Sequence, residues 1–218
     1  VTTVNPVARP RYGSVGTAIP GTEVTLASDG EVMVRGGGVM RGYRNDPERT
    51  VQTLDADGWV HTGDIGTLDA DGFLTIVDRK KELIINSGGK NMSPSNIEGA
   101  LTAASPLIGS VVAIGDNRPY VSALITLDPD AVVAIAQKAG IVDARPEVLA
   151  LHPTILGAIE DAVAQANSRL SRVEHIRAWQ VLPTYWAPGG DELTPTMKLK
   201  RSPIAKKYAD EIDALYQR

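Results

Sequence analysis

The sequence predicts a mixed α/β (α+β) protein in two parts: a twisted β-hairpin or partial-barrel subdomain over residues 1–78, then a small mixed α/β domain over residues 79–218. Three observations carry that prediction. Up to about residue 77 the chain is dense in Gly, Pro and Asp turns that separate short alternating runs. From residue 86 onward, strand-like runs alternate with helical patterns. Between them stands a charged cluster, Asp78-Arg79-Lys80-Lys81-Glu82, which passes into Leu83-Ile84-Ile85 and breaks at Ser87-Gly88-Gly89. A charged, poorly packable joint followed by a short strand and a paired-glycine loop suits a place where two bodies meet and move.

In the first part, Glu23-Val24-Thr25-Leu26 and Glu31-Val32-Met33-Val34 read as strands joined through Ser28-Asp29-Gly30. Gly36-Gly37-Gly38 then marks a bulge or a close backbone approach. Asp46-Pro47-Glu48 opens a short helix, with Asp46 as N-cap and Pro47 at the first helical position. Trp59-Val60-His61-Thr62 and Phe73-Leu74-Thr75-Ile76-Val77 read as strands, each preceded by an Asp-Ala-Asp-Gly turn. A calcium loop would need more carboxylates and a closing bidentate Glu, so these are read as tight turns that require Asp and Gly.

In the second part, Ser93-Pro94 begins a helix with Ile97, Leu101 and Ala104 on its apolar face. Ser95 and Glu98 have capping-box spacing and compete with Ser93 for the cap. Residues 108–114 and 120–127 form a hairpin, and residues 130–139 a helix stopped by Gly140. The longest helical pattern spans residues 153–175, with Ile155, Ile159, Val163, Ala166 and Leu170 on one stripe. Residues 177–182 give another strand. A loop through Pro188-Gly189-Gly190 then leads to Leu193–Arg201, and Ser202-Pro203 caps a final amphipathic helix.

Composition narrows the function. The net charge is −4, which disfavours nucleic acid as the principal partner. Cysteine is absent, so there is neither a disulfide framework nor a thiolate metal site. No apolar run reaches the ~18 residues of a membrane span. The chain starts at Val1 and runs at once into β pattern, which reads as the middle of a longer protein. His61, His152 and His175 are the only histidines; none has a metal-ligand partner at the right spacing, and no Gly-x-Ser-x-Gly elbow occurs. No metal ligand is assigned. Phosphate-binding glycine motifs are missing as well.

Two features remain as chemistry. Asp64, in Thr62-Gly63-Asp64 at a strand end, is placed either to cap a turn or to accept hydrogen bonds from a vicinal diol such as a ribose. Lys198, in Thr194-Pro195-Thr196-Met197-Lys198, is held on a loop that can present it to an anionic centre. With Lys200, Arg201, Lys206 and Lys207 nearby, a solvated basic face is an equal alternative.

At these residues the sequence resembles the adenylate-forming superfamily of acyl-CoA synthetases, nonribosomal adenylation domains and luciferases. Four blocks match in order: Gly30-Glu31 to Gly36 with Gly42-Tyr43 and Pro47-Glu48-Arg49-Thr50; Gly58-Trp59-Val60-His61-Thr62-Gly63-Asp64; Asp78-Arg79-Lys80-Lys81-Glu82 with Gly88-Gly89 through Glu98; and Thr196 to Arg201. Ser87 to Pro94 and Leu193 to Arg201 are most similar to long-chain fatty-acyl-CoA synthetases. One departure is Met197, where many relatives carry Gly before the terminal lysine.

The resemblance implies a reaction in which ATP and a fatty acid give acyl-AMP and pyrophosphate, after which CoA attacks to give acyl-CoA and AMP. It implies Asp64 and Arg79 at the nucleotide ribose, Lys81 as the hinge, and Ser87, Gly88 and Gly89 along the CoA channel. Lys198 would be the catalytic lysine, bridging the carboxylate and the α-phosphate. ATP or AMP, CoA and Mg2+ are the implied cofactors, with Mg2+ held mainly by an upstream part that also carries the ATP-phosphate loop. The expected enzyme is cytoplasmic, has no transmembrane segment, and its lipid substrates are compatible with peripheral membrane contact. This chain alone is expected not to adenylate. A fatty-acyl-AMP ligase that loads a carrier protein, and a non-catalytic binding module retaining the fold, are the alternatives.

Overall fold

A computed structural model describes residues 1–217. The chain forms two compact units, Val1–Leu83 and Ile84–Arg218.

In the first unit, β1 (Thr3–Val4) and β2 (Thr17–Ala18) make a small antiparallel pair. The main sheet is an antiparallel meander of β3 (Thr22–Leu26), β4 (Glu31–Gly36), β5 (Val60–Leu68) and β6 (Leu74–Arg79), in that order. Helix α1 (Pro47–Thr53) connects β4 to β5, and the Asp46 side chain accepts the Arg49 N–H as its cap. The Asp-Ala-Asp-Gly segments are tight turns: Asp55 Oδ1 accepts the N–H groups of Asp57 and Trp59, and Asp69 Oδ1 those of Asp71 and Phe73. At Gly36, a Cβ would lie 2.4 Å from the Gly21 carbonyl oxygen, so the glycine run permits a close backbone approach. Val32, Val34 and Leu74 form a small core.

The main sheet bends at two register shifts, one between β4 and β5 and one between β5 and β6. Such bulges bend the strand and sharpen its twist. The first one changes an expectation. The strand read as ending at Thr62 runs on to Leu68, and Thr62-Gly63-Asp64 sits in a bulge within it.

In the second unit, β7 (Ile84–Ile85) and β8 (Asn91–Met92) form a hairpin that leads into α2 (Pro94–Thr102). A three-stranded sheet follows from β9 (Ile108–Ile114), β10 (Val121–Leu127) and β11 (Ile176–Val181). Central β10 is antiparallel to β9 and parallel to β11. The crossover between the parallel strands carries α3 (Pro129–Lys138), α4 (Pro146–Leu149) and α5 (Pro153–Asn167). Every residue of β10 is buried, as expected of a strand covered on both faces. Val121, Ala123, Ile125 and Leu127 share a core with Ile97 and Leu101 of α2 and with Ile155, Ile159 and Val163 of α5. Leu124, on the opposite face, packs with Ile204 of α6 (Arg201–Lys207) and Ile212 of α7 (Ala209–Ala214). Truncating a fully buried residue such as Ile97 or Ile155 to Ala costs about 2–5 kcal/mol.

Three local expectations change. Helix α5 ends at Asn167, well short of residue 175, because the Asn167 amide takes both the N–H and the carbonyl of Ile176 and turns the chain toward β11. Ser93 caps α2 by accepting the Asn96 N–H, whereas Glu98 is drawn into contacts far away in sequence. The final helix starts at Arg201 and is broken at Tyr208, whose hydroxyl is tied to Trp186 and Glu192. Among the described residues, no helix is long and apolar enough to cross a membrane.

Candidate functional site

Asp64 and Arg79 are paired residues on β5 and β6, so their side chains are brought together by sheet register. Arg79 Nε lies 2.9 Å from Asp64 Oδ1. Arg79 remains mostly exposed and Asp64 is partly buried. A partly exposed carboxylate, which accepts, thus stands beside a guanidinium, which donates.

Asp64 keeps its β6 partner, but on the β4 side the backbone around it leaves the ladder. Gly63 adopts a left-handed φ of 73°, a conformation that costs glycine little. Its N–H donates to Glu31 Oε1 at 2.9 Å. The Thr62 hydroxyl donates to the Val32 carbonyl at 2.7 Å and accepts the Asp64 N–H at 3.1 Å. Glu31 is buried and also meets Lys80 Nζ at 2.9 Å and His61 Nδ1 at 3.3 Å. Burial pushes its carboxyl up, but Lys80, the Gly63 N–H and His61 together outweigh that and hold it below the usual carboxylate range. Lys80 is held above its ordinary range by hydrogen bonds to Asp29, at 2.6 Å, and to Glu31. Glu31 and Lys80 were missed as site residues; the sequence signal for each was its place in a matched block, Glu31 in the first and Lys80 in the third.

Lys81 follows Lys80 in a single 3-10 turn, Lys80–Glu82, closed by the Leu83 N–H on the Arg79 carbonyl at 3.2 Å. The two compact units divide one residue later.

Ser87, Gly88 and Gly89 make the tip of the β7–β8 hairpin in the second unit. Asn86 Oδ1 accepts the N–H groups of Gly88 and Lys90, and the Ser87 N–H donates to the Arg118 carbonyl. Gly89 has a φ of 72° with nothing near a built Cβ, so the backbone conformation is what calls for glycine there. The surface over Gly89 is correspondingly open.

Lys198 lies in the same unit, on a tight turn closed by the Leu193–Leu199 bridge. The Thr194 hydroxyl accepts the Lys198 N–H at 3.0 Å, and the Thr194 N–H donates to the Lys198 carbonyl at 2.8 Å. Met197 occupies a left-handed φ of 63°, the position where the resemblance expects glycine. The base of this turn is anchored by Arg201, whose two terminal nitrogens meet Glu98 at 2.6 and 2.9 Å. Glu98 Oε1 also accepts the Ala113 N–H at 2.9 Å, so one carboxylate joins α2, β9 and the start of α6. Lys200 turns away and donates to the Gly190 carbonyl, so of the two lysines Lys198 is the exposed one at the turn. Asp64 with Arg79 thus lie on the first unit, and Lys198 with the glycine tip on the second.

Known proteins are similar to this chain in sequence and fold. Over 206 residues the chain is 52% identical to fadD11 of Mycobacterium tuberculosis (strain ATCC 25618 / H37Rv), covering 94% of this chain and 36% of that protein. It is 43% identical over 209 residues to the long-chain-fatty-acid–CoA ligase FadD15 of the same organism, covering 95% of this chain and 34% of that one. The chain therefore spans about a third of the length of these curated relatives. Among solved structures it resembles the O-succinylbenzoate Coenzyme A synthetase MenE from Bacillus subtilis, in complex with AMP, with a TM-score of 0.62 at 25% identity over 88% of this chain and 35% of that one. Fold and relatives together define the class as the adenylate-forming enzymes. The family model described as AMP-binding enzyme C-terminal domain matches residues 81–218, and the chain belongs to that family.

Proposed function

We propose that this chain is the carboxyl-terminal portion of a long-chain fatty-acid–CoA ligase, which joins ATP and a fatty acid into acyl-AMP and then passes the acyl group to CoA. The observation that carries the reading is the Asp64–Arg79 pair, a carboxylate and a guanidinium set side by side by strand register. The carboxylate accepts the two ribose hydroxyls, and Arg79 supports both the carboxylate and the sugar. Lys198 supplies the positive charge where the fatty-acid carboxylate meets the α-phosphate. A compact ammonium suits that role, because negative charge develops there and no proton transfer is required.

The joint then serves both half-reactions. Rotation at Lys81 withdraws Lys198 once acyl-AMP has formed and brings the glycine tip, Ser87-Gly88-Gly89, to line the path of the CoA arm. The open surface over Gly89 suits close passage of a narrow chain. ATP and CoA are substrates in this reading, and Mg2+ accompanies ATP. The matching blocks for ATP phosphates are not among these residues, so the chain by itself does not adenylate. The enzyme works in the cytoplasm, with peripheral contact at membranes where its fatty acids partition.

The test is a chimera in which this chain replaces the matching third of FadD15. Acyl-CoA formation from ATP, CoA and a long-chain fatty acid is the expected result. Acyl-AMP that reaches a carrier phosphopantetheine but not CoA would favour a carrier-loading ligase instead. Pyrophosphate release by the chain alone would contradict the division of labour.

A further inference from the structure

Glu31 is a buried charged group that the proposed chemistry leaves unused. Its three partners belong to different parts of the first unit. Gly63 lies in the bulge that presents Asp64, Lys80 opens the turn that carries Lys81, and His61 precedes the bulge on β5.

The sheet register explains why a side chain is needed here. Glu31 pairs with Ile65 and Met33 with His61, so β5 spends more residues than β4 between the same two rungs. The extra residues lose their ladder partners, and a buried or half-buried N–H without an acceptor costs about 1–3 kcal/mol. Glu31 Oε1 fills that gap at Gly63. Its other oxygen takes Lys80, which Asp29 grips as well. An ammonium caught between two carboxylates resists moving with the chain that follows it.

We infer that Glu31 is a positioning residue for the nucleotide site and the joint together. One oxygen holds the bulge that presents Asp64, and the other holds Lys80, so that backbone rotation at the joint starts at Lys81. The inference rests on the ligase reading for its functional meaning, while the clamp itself is a property of the fold. Shortening Glu31 loosens both ends. Removing the Lys80 amine loosens the joint alone.

Two measurements test it. In the full chain, amide hydrogen exchange followed by NMR should show Gly63 exchanging at least about tenfold faster in Glu31→Ala, an opening of about 1.4 kcal/mol. Lys80→Met should instead speed Leu83, whose N–H closes the turn, and leave Gly63 within about threefold of the parent. Gly63 exchanging at the parent rate in Glu31→Ala overturns the inference whatever the ligase assays give. In the FadD15 chimera, Glu31→Ala should raise the KM for ATP about tenfold, with a smaller change in adenylation kcat. Glu31→Gln keeps a carbonyl acceptor for Gly63 and should return that KM to within about threefold, yet slow the thioester-forming half-reaction as Lys80→Met does. An even loss of kcat in Glu31→Ala, with no KM change and no recovery in Glu31→Gln, marks a merely structural carboxylate and overturns the inference. If the unsubstituted chimera makes no acyl-CoA, the ligase reading is what fails, and the exchange rates at Gly63 and Leu83 decide the clamp.

Discussion

Arg79 Nε lies 2.9 Å from the Asp64 carboxylate, across a rung that pairs the two residues on neighbouring strands. Because the contact is set by register, each side chain keeps its place when the other is removed. In the chimera, Asp64→Ala should raise the KM for ATP by about 10- to 100-fold, since charged hydrogen bonds contribute about 1.5–3 kcal/mol each. Arg79→Ala should give the smaller effect because its side chain is more exposed. Equal KM values in parent and Asp64→Ala would remove the carboxylate from the nucleotide site.

Met197 sits in a left-handed conformation that costs a residue with a Cβ about 1–2 kcal/mol. Met197→Gly relieves that strain but loosens the unfolded chain, so the net gain should be about 0.5–1 kcal/mol. Denaturant unfolding of the chain measures it. A less stable Met197→Gly variant would mean that the exposed Met side chain holds the turn by contacts.

Arg201, just beyond Lys198 in the chain, grips Glu98 with two nitrogens from 103 residues away, and Glu98 also takes the Ala113 N–H. Glu98→Ala removes the carboxylate that the partly exposed Arg201 guanidinium and the Ala113 N–H share, and should cost about 2–3 kcal/mol. Adenylation by the chimera should fall together with stability, because the turn bearing Lys198 loses its base. A Glu98→Ala chimera of parental stability and rate would show that the turn is held by its own bridge at Leu193 and Leu199.

Acid should destabilise the chain in a defined direction. The carboxyls of Glu31 and Glu192 both end below the ordinary value: burial raises each, but Lys80, the Gly63 N–H and His61 together outweigh it at Glu31, and Lys207 with the Tyr208 hydroxyl and the residue's own backbone does so at Glu192. The unfolded chain therefore binds more protons in acid, so this stability is complete above about pH 4.3 and is lost as pH falls through the depressed folded values. Thermal unfolding should show a midpoint that drops below about pH 4.5, with a shallower drop in the Glu31→Gln, Glu192→Gln double variant. A midpoint that rises between pH 6 and pH 4 would contradict the assignment.

Much of this architecture is legible in the sequence. Turn density marked the β meander, the Ser93-Pro94 and Asp46-Pro47 starts set two helices, and the hairpin of β9 and β10 followed from two β-runs around a glycine-containing turn. These are local signals, decided within a few residues. What escaped was non-local. The pairing of Glu31 with Gly63 depends on a bulge that no short window reveals, and Glu98 had a plausible local role as a capping residue that Arg201 overrides from 103 residues away. The break at Tyr208 has the same origin, since its hydroxyl is claimed by Trp186 and Glu192. At Met197, by contrast, the departure from the resemblance coincides with a left-handed backbone.

The central claim is that Lys198 carries charge to the adenylation step. The direct measurement is fatty-acid-dependent pyrophosphate release by the FadD15 chimera with Lys198 intact and with Lys198→Ala. The account predicts a loss of about 100-fold or more in rate for Lys198→Ala, the size expected when one pre-positioned electrostatic contact to the transition state is removed. An unchanged rate in a well-folded Lys198→Ala chimera would contradict it.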